Sequence, residues 1–488
     1  MRSFAVKYPY RATGRPLRGL GNVRPRAALR ALAGAVGLLA ILGLTVAPSA
    51  VASSVSTKYY YVAPTLGSTA TNTGCTTAGY TTVQSAVTAA EAYEAAHQKI
   101  VPTIELCPGT YTEQVTITRS LVLTRAKVAA SQGPVTILLP STVVTSTTTC
   151  QTRDAATSTQ VPQSVIEICA ANASGGNTSG VFVSISHVTV QGSWPTSVCY
   201  DSLYDVLVEG GASLSLTDSV VEQAGADPIN GCQGGVGVEA GFSPTGQIGH
   251  IALDSDTVQS YQKNGITVDG AGSSAKIVGV TVTGAGPTAT IAQNGIQISD
   301  GATGSVTGST ITGNNYTGTG EAFSTGILVY GGSSCSAPYV REPLVKKASI
   351  THNTVLNNDV GIALFNVNVA CSKSASTPTR NRVCSNVIRN GHGYVHGVAS
   401  ADANISGYVT AKGRAIGDQA GVSDSGDKDI ICDNAIGGIG YAARDKTSTL
   451  PNPAPPAWVR PIDLFSYAPA LRAQVSGNTY DGKAYKPH

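Results

Sequence analysis

The sequence predicts an all-β solenoid in which short strands stack as successive coils. One recurring phrase places a small polar residue before β-branched residues; it occurs at Asp218, Asp256, Ser309, Asn353, Asn386, Asn434 and Asn478. A second phrase places glycine before Ile or Val, and its spacing from Gly235 to Gly326 is 30, 30 and 31 residues. A coil of this length can bury its apolar face only against neighbouring coils, which is typical of a solenoid.

Composition agrees with short strands and tight turns. The 488 residues include 55 Gly and 1 Met, and only 12% are charged. A chain of this length usually suggests several globular domains, but a solenoid grows by adding coils. We therefore expect one domain after the N-terminal segment. Residues 53–126 would form a cap and the first coils, and residues 127–488 would form the remaining coils with their loop insertions.

The first 52 residues are predicted to direct export. They carry eight Lys or Arg and no acidic residue, followed by an apolar run from Ala31 to Val46 and by Ala50-Val51-Ala52. This order is typical of a secretory signal peptide cleaved after Ala52. The alternative is an uncleaved membrane anchor, although the run is shorter than the roughly 20 residues of a membrane span. We expect a secreted, extracellular protein without a membrane span after cleavage.

Removal of this segment reverses the net charge. The precursor has a formal charge of +3, whereas the chain from Ser53 onward has 24 basic and 29 acidic residues, hence −5. Between Asp154 and Gln262 eleven Asp or Glu occur without one Lys or Arg. This balance argues against a nucleic-acid partner and against a bare polyanion as substrate. It favours neutral glycans, cationic surfaces or calcium-dependent binding.

The ten cysteines are predicted to form five disulfides, because their number is even and the protein is exported. None lies in a C-x-x-C arrangement, so a zinc site is not expected. The simplest pairing joins nearest neighbours, although the sequence alone does not fix connectivity. It gives Cys75–Cys107, Cys150–Cys169, Cys199–Cys232, Cys335–Cys371 and Cys384–Cys432.

The head of the mature chain is predicted to be a helix followed by strands. In residues 80–97, Val83, Val87 and Ala90 lie on one helical face, and Thr81-Thr82 stands at its start. Residues 103–117 then alternate about the turn at Pro108-Gly109. Such a helix would cap the open end of the solenoid, which otherwise exposes unpaired backbone groups.

Residues 80–126 resemble the N-terminal signature of the pectin lyase-like superfamily, especially its pectin methylesterase-like branch. The repeated phrases over roughly 180–440 resemble the generic repeats of that superfamily. The resemblance implies a single-stranded right-handed parallel β-helix with a short N-terminal α-helical cap. It does not imply one activity, because this fold hosts lyases, hydrolases, esterases, epimerases and non-catalytic proteins.

Catalytic motifs of the resembling families are absent. Gly109-Thr110-Tyr111-Thr112-Glu113 matches the early methylesterase motif, but the later motifs that hold the catalytic aspartates and the substrate arginine are missing. We therefore expect Glu113 to be a cap or turn residue. An esterase that keeps only this head is the least favoured function.

The recurring asparagines are predicted to form a ladder. Coils stack about 4.8 Å apart, so Asn353, Asn386, Asn434 and Asn478 at one point of the coil can hydrogen-bond along the stack. Asp218 and Asp256 are expected at the same register. Stacked carboxylates repel unless they share a proton or a cation, so this pair is the candidate calcium site, and Ca²⁺ is the only cofactor that the sequence suggests.

The acidic stretch also holds the candidate catalytic groups. Glu222 and Asp227 would serve as acid, base or calcium ligands, and Lys263 would be the nearby cation. Tyr204 and Tyr261 would stack on sugar rings.

The predicted function is a secreted β-helix, acting as a monomer, that binds or processes extracellular polysaccharide. If it is catalytic, a lyase or a glycoside hydrolase is expected. The main alternative is a non-catalytic β-helix of the cell surface or matrix.

Overall fold

The computed structural model describes residues 57–65, 70–97, 100–127, 133–157, 161–170, 176–178, 180–195, 202–318, 322–333, 341–367, 378–391, 408–409, 415–416, 420–438, 461–464 and 472–485. The predicted signal peptide lies outside this part of the chain. Within it, no helix has the length and apolar character needed to cross a membrane.

Three long parallel sheets form the solenoid, because each strand pairs with the equivalent strand of the next coil. We number the strands in chain order and the sheets in the order in which a coil passes through them. Sheet 1 contains β4 (Val115–Ile117), β7 (Gln163–Cys169), β10 (Leu203–Glu209), β13 (Val236–Ala240), β16 (Asn264–Asp269), β19 (Asn294–Ser299), β22 (Thr325–Ser333), β26 (Val360–Val367), β31 (Ala420–Asp424) and β34 (Ile462–Leu464), with β23 (Arg341–Glu342) antiparallel to β22.

Sheet 2 contains β1 (Tyr59–Val62), β2 (Thr103–Leu106), β5 (Leu121–Arg125), β8 (Phe182–Ser186), β11 (Ala212–Thr217), β14 (Gly249–Asp254), β17 (Ser274–Val278), β20 (Thr303–Thr307), β24 (Ser349–Thr351), β27 (Arg382–Cys384), β32 (Ile430–Cys432) and β35 (Gln474–Ser476). The order of these strands confirms the predicted parallel β-helix.

Sheet 3 contains β3 (Gly109–Thr112), β6 (Val135–Leu138), β9 (Thr189–Gln191), β12 (Val220–Glu222), β15 (Thr257–Gln259), β18 (Thr281–Thr288), β21 (Thr310–Tyr316), β25 (Thr354–Leu356), β28 (Val387–Asn390), β33 (Ala435–Gly438), β36 (Thr479–Tyr480) and β37 (Lys483–Ala484). The last two strands form an antiparallel hairpin, and β29 (Tyr408–Val409) and β30 (Ala415–Ile416) form another.

One continuous core runs along the axis of the solenoid. Alternate residues of each strand point inward, as Val238 and Ala240 do on β13 and as Ile266 and Val268 do on β16, and all four are fully buried. The glycine phrase allows neighbouring coils to approach closely. A Cβ at Gly265 would lie 2.6 Å from the carbonyl oxygen of Gly295, so a side chain there would clash.

The predicted asparagine ladder is confirmed, and it lies at the turn from sheet 2 to sheet 3. Asn353 donates its backbone N–H (2.9 Å) and its amide (3.0 Å) to Oδ1 of Asn386. Asn386 binds Asn434 in the same way, and Asn434 binds Asn478. Each amide therefore satisfies the turn of the preceding coil, which stabilises the stack.

The expectation for Asp218 at this register is wrong. Val220 pairs with Thr257, so the residue level with Asp256 is Ser219. Asp218 is one residue earlier, at the left-handed turn position with φ of 50°, and its half-exposed carboxylate lies 4.0 Å from His187. Asp218 and Asp256 therefore do not stack as equivalent residues.

The helical cap is confirmed. Helix α1 (Val83–Ala96) begins after Thr82, whose hydroxyl accepts the N–H of Ser85 at 3.2 Å. It buries Val83, Ala86, Val87 and Ala90 in the core that the first strands share.

Three predicted disulfides are present in the described chain: Cys75–Cys107, Cys150–Cys169 and Cys384–Cys432. Cys232 is also disulfide-bonded. Its predicted partner Cys199, and the predicted pair Cys335–Cys371, lie outside the described residues.

Candidate functional site

The outer face of sheet 1 carries two files of side chains that run along the stack. Each file takes one outward residue from each successive strand, and the strand register fixes its members. The first file is Glu167, Leu207, Glu239, Thr267, Gln297, Leu328, Ala363, Ser423 and Asp463. The second file begins with Cys169, Glu209, Gly241 and Asp269 and continues with Ser299, Tyr330 and Phe365.

Carboxyl groups are concentrated at the N-terminal end of these files. We call the set the acidic strip: Asp154, Glu167, Glu209, Glu239, Asp269 and Asp300. Asp154 comes from α2 (Thr149–Thr157), which packs beside the Ser243–Thr245 turn. Neither file contains Lys or Arg, so no cation within the files balances these acids.

The strip is buried at one end and opens toward solvent at the other. Asp154 and Glu209 are fully buried, and Glu239 is 4% exposed. Asp269 and Asp300 are half-buried. Solvent and ligands therefore approach the strip near Asp269, one coil beyond Glu239.

Glu239 is the best placed proton donor. Its burial, and then the neighbouring charges of Asp269 and Asp300, raise the pKa of its carboxyl well above the usual value, although a hydrogen bond with Thr267 opposes this. Burial and a raised pKa favour the protonated form of the carboxyl, which a general acid requires.

Asp269 is held in place beside it. Its Oδ1 accepts the hydroxyl of Ser299 at 3.0 Å, and its Oδ2 accepts the backbone N–H of Ser243 at 2.9 Å. The Ser243 hydroxyl also reaches Oδ2 of Asp300 at 3.5 Å. The turn at Ser243 thus fixes the orientation of the carboxylate that faces the open end.

Aromatic rings follow on the same face. Tyr330 is level with Ser299, and Phe365 is level with Tyr330, so both continue the file of Asp269. Both side chains are half-buried. Phe365 packs edge-on against Phe323, with 5.4 Å between ring centroids. Partly exposed rings beside carboxyl groups suit contact with the apolar faces of sugars.

An amide network borders the site. The Asn294 amide donates to Oδ1 of Asn264 at 3.0 Å, and the Thr325 hydroxyl donates to Oδ1 of Asn294 at 2.7 Å. Gln297 accepts from Asn264 and Asn294 and donates to Ser299 at 3.1 Å. Side chains bonded in this way are held rigid, as precise recognition of hydroxyl groups requires.

A groove of about 520 Å³ lies at the other end of the strip, between α1 and β7. Glu91 and Glu167 line it with Gln84 and Gln114. These polar groups are used within the protein: Glu167 accepts the hydroxyls of Ser146 and Thr148, and Glu91 accepts backbone and hydroxyl hydrogens of Thr118. The groove therefore offers fewer free polar groups than the Asp269 end.

The structure separates the catalytic candidates predicted from the sequence. Glu222 lies on sheet 3, where the Gln259 amide donates to it at 2.8 Å, and Asp227 is exposed after that strand. Lys263 is 9% exposed and donates to the carbonyl of Ala292 at 2.9 Å. No salt bridge within 4.0 Å joins Lys263 to either acid. The role of these three residues stays a prediction.

The two predicted sugar-binding tyrosines are buried. Tyr261 is 1% exposed, and its hydroxyl donates to Asn314 at 2.5 Å. Tyr204 is 5% exposed and packs with Leu207 and Val236. Neither ring presents a free face to solvent.

The candidate calcium pair is also placed differently from the expectation. Asp256 accepts the backbone N–H groups of Ser219 and Asp254, at 2.9 and 3.0 Å, and Asp218 points to the surface. Among the described residues, no group of three or more His, Cys, Asp or Glu side chains is arranged to hold a metal ion.

The patterns in the sequence did not indicate Asp269, Asp300, Tyr330 or Phe365, and Glu239 was counted only among the eleven acids between Asp154 and Gln262. A signal was present in the glycine phrase. In Gly265-Ile266-Thr267-Val268-Asp269, the second and fourth residues face inward, so the third and fifth face outward. Read in the same way, the phrases at Gly295, Gly326 and Gly361 give members of both files. On β13 the glycine equivalent to Gly265 is Gly237 and not Gly235, because Val238 pairs with Ile266.

Solved structures similar to this chain include the A-module of a mannuronan C-5 epimerase from Azotobacter vinelandii, at 15% identity and TM-score 0.36 over 81% of this chain and 95% of that one. A pectate lyase is similar at 14% identity and TM-score 0.35, over 73% and 84%. A DFA-IIIase from Arthrobacter chlorophenolicus A6, without its lid, is similar at 11% identity and TM-score 0.33, over 78% and 89%. No protein-family model matches the chain, and no curated protein matches it by sequence.

The fold is therefore assigned from the three parallel sheets of this chain. Their parallel order and their one-strand-per-coil register confirm, at the level of fold, the resemblance to the pectin lyase-like superfamily.

Proposed function

We propose that the protein is a secreted glycoside hydrolase that acts on an extracellular polysaccharide across the outer face of sheet 1. One observation carries this proposal: the buried carboxyl of Glu239, whose pKa is raised by burial and then by the charge of Asp269, lies beside the oriented carboxylate of Asp269. Glycosidic bond hydrolysis commonly uses such a pair, in which one carboxyl donates a proton and the other acts as base or nucleophile.

Each of these residues has a separate role in the proposed reaction. Glu239 protonates the glycosidic oxygen of the leaving sugar. Asp269 activates water or attacks the anomeric carbon, and Ser243 and Ser299 hold it in position. Tyr330 and Phe365 bind sugar rings two and three coils beyond Asp269, because they extend the same file toward the C-terminus.

Charge selects the class of substrate and reaction. The strip has six carboxyl groups, and its two files have no Lys or Arg. At the open end, the half-buried carboxyl groups of Asp269 and Asp300 disfavour the approach of a polyuronate, and the files offer no cation to neutralise the uronate group on which a lyase depends. A neutral or cationic polysaccharide and a hydrolytic reaction fit this surface best.

A polysaccharide panel incubated with the purified mature chain tests the proposal. We expect new reducing ends without unsaturated uronates. Glu239→Gln and Asp269→Asn should each lower the rate at least 100-fold, on the order of the contribution of a positioned acid or base. Asp463→Asn is the matched control, because Asp463 lies in the same file as Glu239, six coils or about 29 Å away. Full activity in Glu239→Gln, or unsaturated products, would overturn the hydrolase assignment.

The competing function is a non-catalytic matrix protein that only binds glycan. The burial of Glu239, at 4% exposure, favours this alternative. Binding without any cleavage across the panel would support it. Loss of that binding in Tyr330→Ala with Phe365→Ala would still place the glycan on sheet 1.

A further inference from the structure

The covered end of the acidic strip contains polar side chains that the proposed hydrolysis does not use. They surround the disulfide between Cys150 and Cys169, which joins α2 to β7. Cys169 is level with Glu209 on the neighbouring strand. The disulfide therefore positions α2 directly over the fully buried carboxyl of Glu209.

Two carboxyl groups meet at this point. Asp154 of α2 interacts with Glu209 through a side-chain hydrogen bond and through charge, and both side chains are fully buried. Glu167 acts on both through its charge. Buried carboxylates are costly unless a proton, a partner or a cation compensates them.

An amide of α2 points to the same side. Gln151 and Asp154 are three residues apart on the helix, so they share a face, and Gln151 is only 2% exposed. Neither its amide oxygen nor its amide nitrogen has a hydrogen-bond partner within the described chain. Buried amides are normally hydrogen-bonded, so an amide without a partner indicates room for a bound ligand.

A second glutamine approaches from the strand side. The Gln247 amide nitrogen lies 3.5 Å from the carbonyl oxygen of Cys150, and the side chain is 1% exposed. Its amide oxygen has no partner within the described residues. The region thus combines two carboxylates with two amide oxygens, and the side chain of Arg153 on α2 lies outside the described residues.

We propose that Asp154, Glu209, Gln151 and Gln247 form a buried site for a hard divalent cation, for which Ca²⁺ is the best fit. Carboxylate and amide oxygens are the ligands that calcium prefers, and it accepts irregular geometry. Two carboxylates balance its charge. The proposal does not depend on hydrolysis, because the cation would join α2 to sheet 1 whether or not Glu239 is catalytic.

This site differs from the calcium pair predicted from the sequence. Asp218 and Asp256 lie between sheets 2 and 3, and Asp256 already accepts two backbone N–H groups. The new site is on the other side of the coil, over sheet 1. Variants at the two places therefore separate the two locations.

Thermal unfolding of the full mature chain, stripped of metal with a chelator and then titrated with CaCl₂, tests the inference. We expect calcium to raise the apparent Tm by several degrees at saturation and magnesium to raise it less, since bound ligand stabilises only the folded state. Terbium is the second probe, because Tyr204 lies near Glu209 and can sensitise its luminescence. The signal should rise on terbium binding and fall when calcium competes.

The variants Gln151→Leu and Glu209→Gln should abolish both the Tm shift and the terbium signal. Gln151→Leu should not destabilise the metal-free protein, because it removes a buried amide without a partner, so a loss of the shift cannot be ascribed to misfolding. Asp218→Asn and Asp256→Asn are the controls and should keep both effects. No calcium effect in the unmodified protein, or an effect that survives in Gln151→Leu and Glu209→Gln, would overturn the proposal.

Discussion

The carboxylate of Asp256 accepts the backbone N–H of Ser219, at 2.9 Å, across one turn of the solenoid. Asn386, Asn434 and Asn478 make the same contact with the coils before them. Asp256 therefore occupies a ladder position, and it differs from the asparagines in having no amide hydrogens to donate. Burial raises the pKa of its carboxyl to about 7, because the two backbone donors offset the desolvation only in part.

Asp256→Asn should remove a pH dependence of stability. Since the folded pKa is above the unfolded one, Asp256 supports folding below about pH 4 and loses that contribution as pH rises toward 7. The variant should gain on the order of 2–4 kcal/mol in unfolding free energy at pH 8 relative to pH 4. Chemical unfolding of both proteins across this range measures the difference. If the unfolding free energies of the two proteins changed with pH in the same way, ionisation of Asp256 would not destabilise the folded state, and this explanation would be wrong.

The reverse exchange within the ladder should destabilise the protein. Asn386 donates its amide to Asn434 at 2.9 Å and to the carbonyl of Ile350 at 3.0 Å. Asn386→Asp removes both donations and places a charge beside acceptor oxygens. We expect a loss of about 2–4 kcal/mol at pH 8 that shrinks at pH 4, where the new carboxyl is protonated. Asn386→Leu should be destabilising at both pH values, and a pH-dependent loss there would contradict this explanation.

The fold could be predicted because the repeated phrases mark local constraints that recur in each coil. Asn353 and Asn386 are fixed by the turn, and Gly265 and Gly295 by the close approach of neighbouring coils. The acidic strip could not be obtained by collecting acids along the chain. Glu222 and Glu239 are 17 residues apart, yet they lie on sheets 3 and 1. Which acids meet depends on the lengths of the loops between strands, and the phrases do not encode these.

Glu113 should contribute to stability and not to glycan chemistry. Its carboxylate accepts the N–H groups of Val83 at 2.7 Å and Gln84 at 2.8 Å, so it caps the start of α1. Glu113→Ala should lower the unfolding free energy by about 1–2 kcal/mol and leave glycan cleavage unchanged. Thr110→Ala, at an exposed position of the neighbouring β3, is the control and should change stability by less than about 0.5 kcal/mol. Loss of cleavage in a folded Glu113→Ala protein would revive the methylesterase-like interpretation.

Joint replacement of Glu222 and Asp227 by Ala tests the location first predicted from the sequence. Glu222 faces outward on sheet 3 and is bonded to Gln259, and Asp227 is exposed. Because the proposed acid and base lie on sheet 1, we expect the double variant to keep cleavage within about twofold. A loss of 100-fold or more, measured as reducing-end release, would move the catalytic site to sheet 3.

Replacement of Lys263 distinguishes a structural role of this residue from a catalytic one. Burial lowers the pKa of its ammonium from 10.5 to about 8. Because the folded pKa is depressed, the charged form destabilises the fold below pH 8, and stability recovers as pH rises toward 10.5. Lys263→Met should therefore be more stable than the unmodified chain at pH 7, by on the order of 2 kcal/mol, with the difference shrinking by pH 9.5.

The carbonyl of Ala292, which loses its donor, is half-exposed and can bind water instead. Unfolding at both pH values measures this effect, and glycan cleavage at pH 7 should be unchanged. A folded Lys263→Met protein that no longer cleaves glycan would restore Lys263 as the essential cation and contradict the assignment to Glu239 and Asp269.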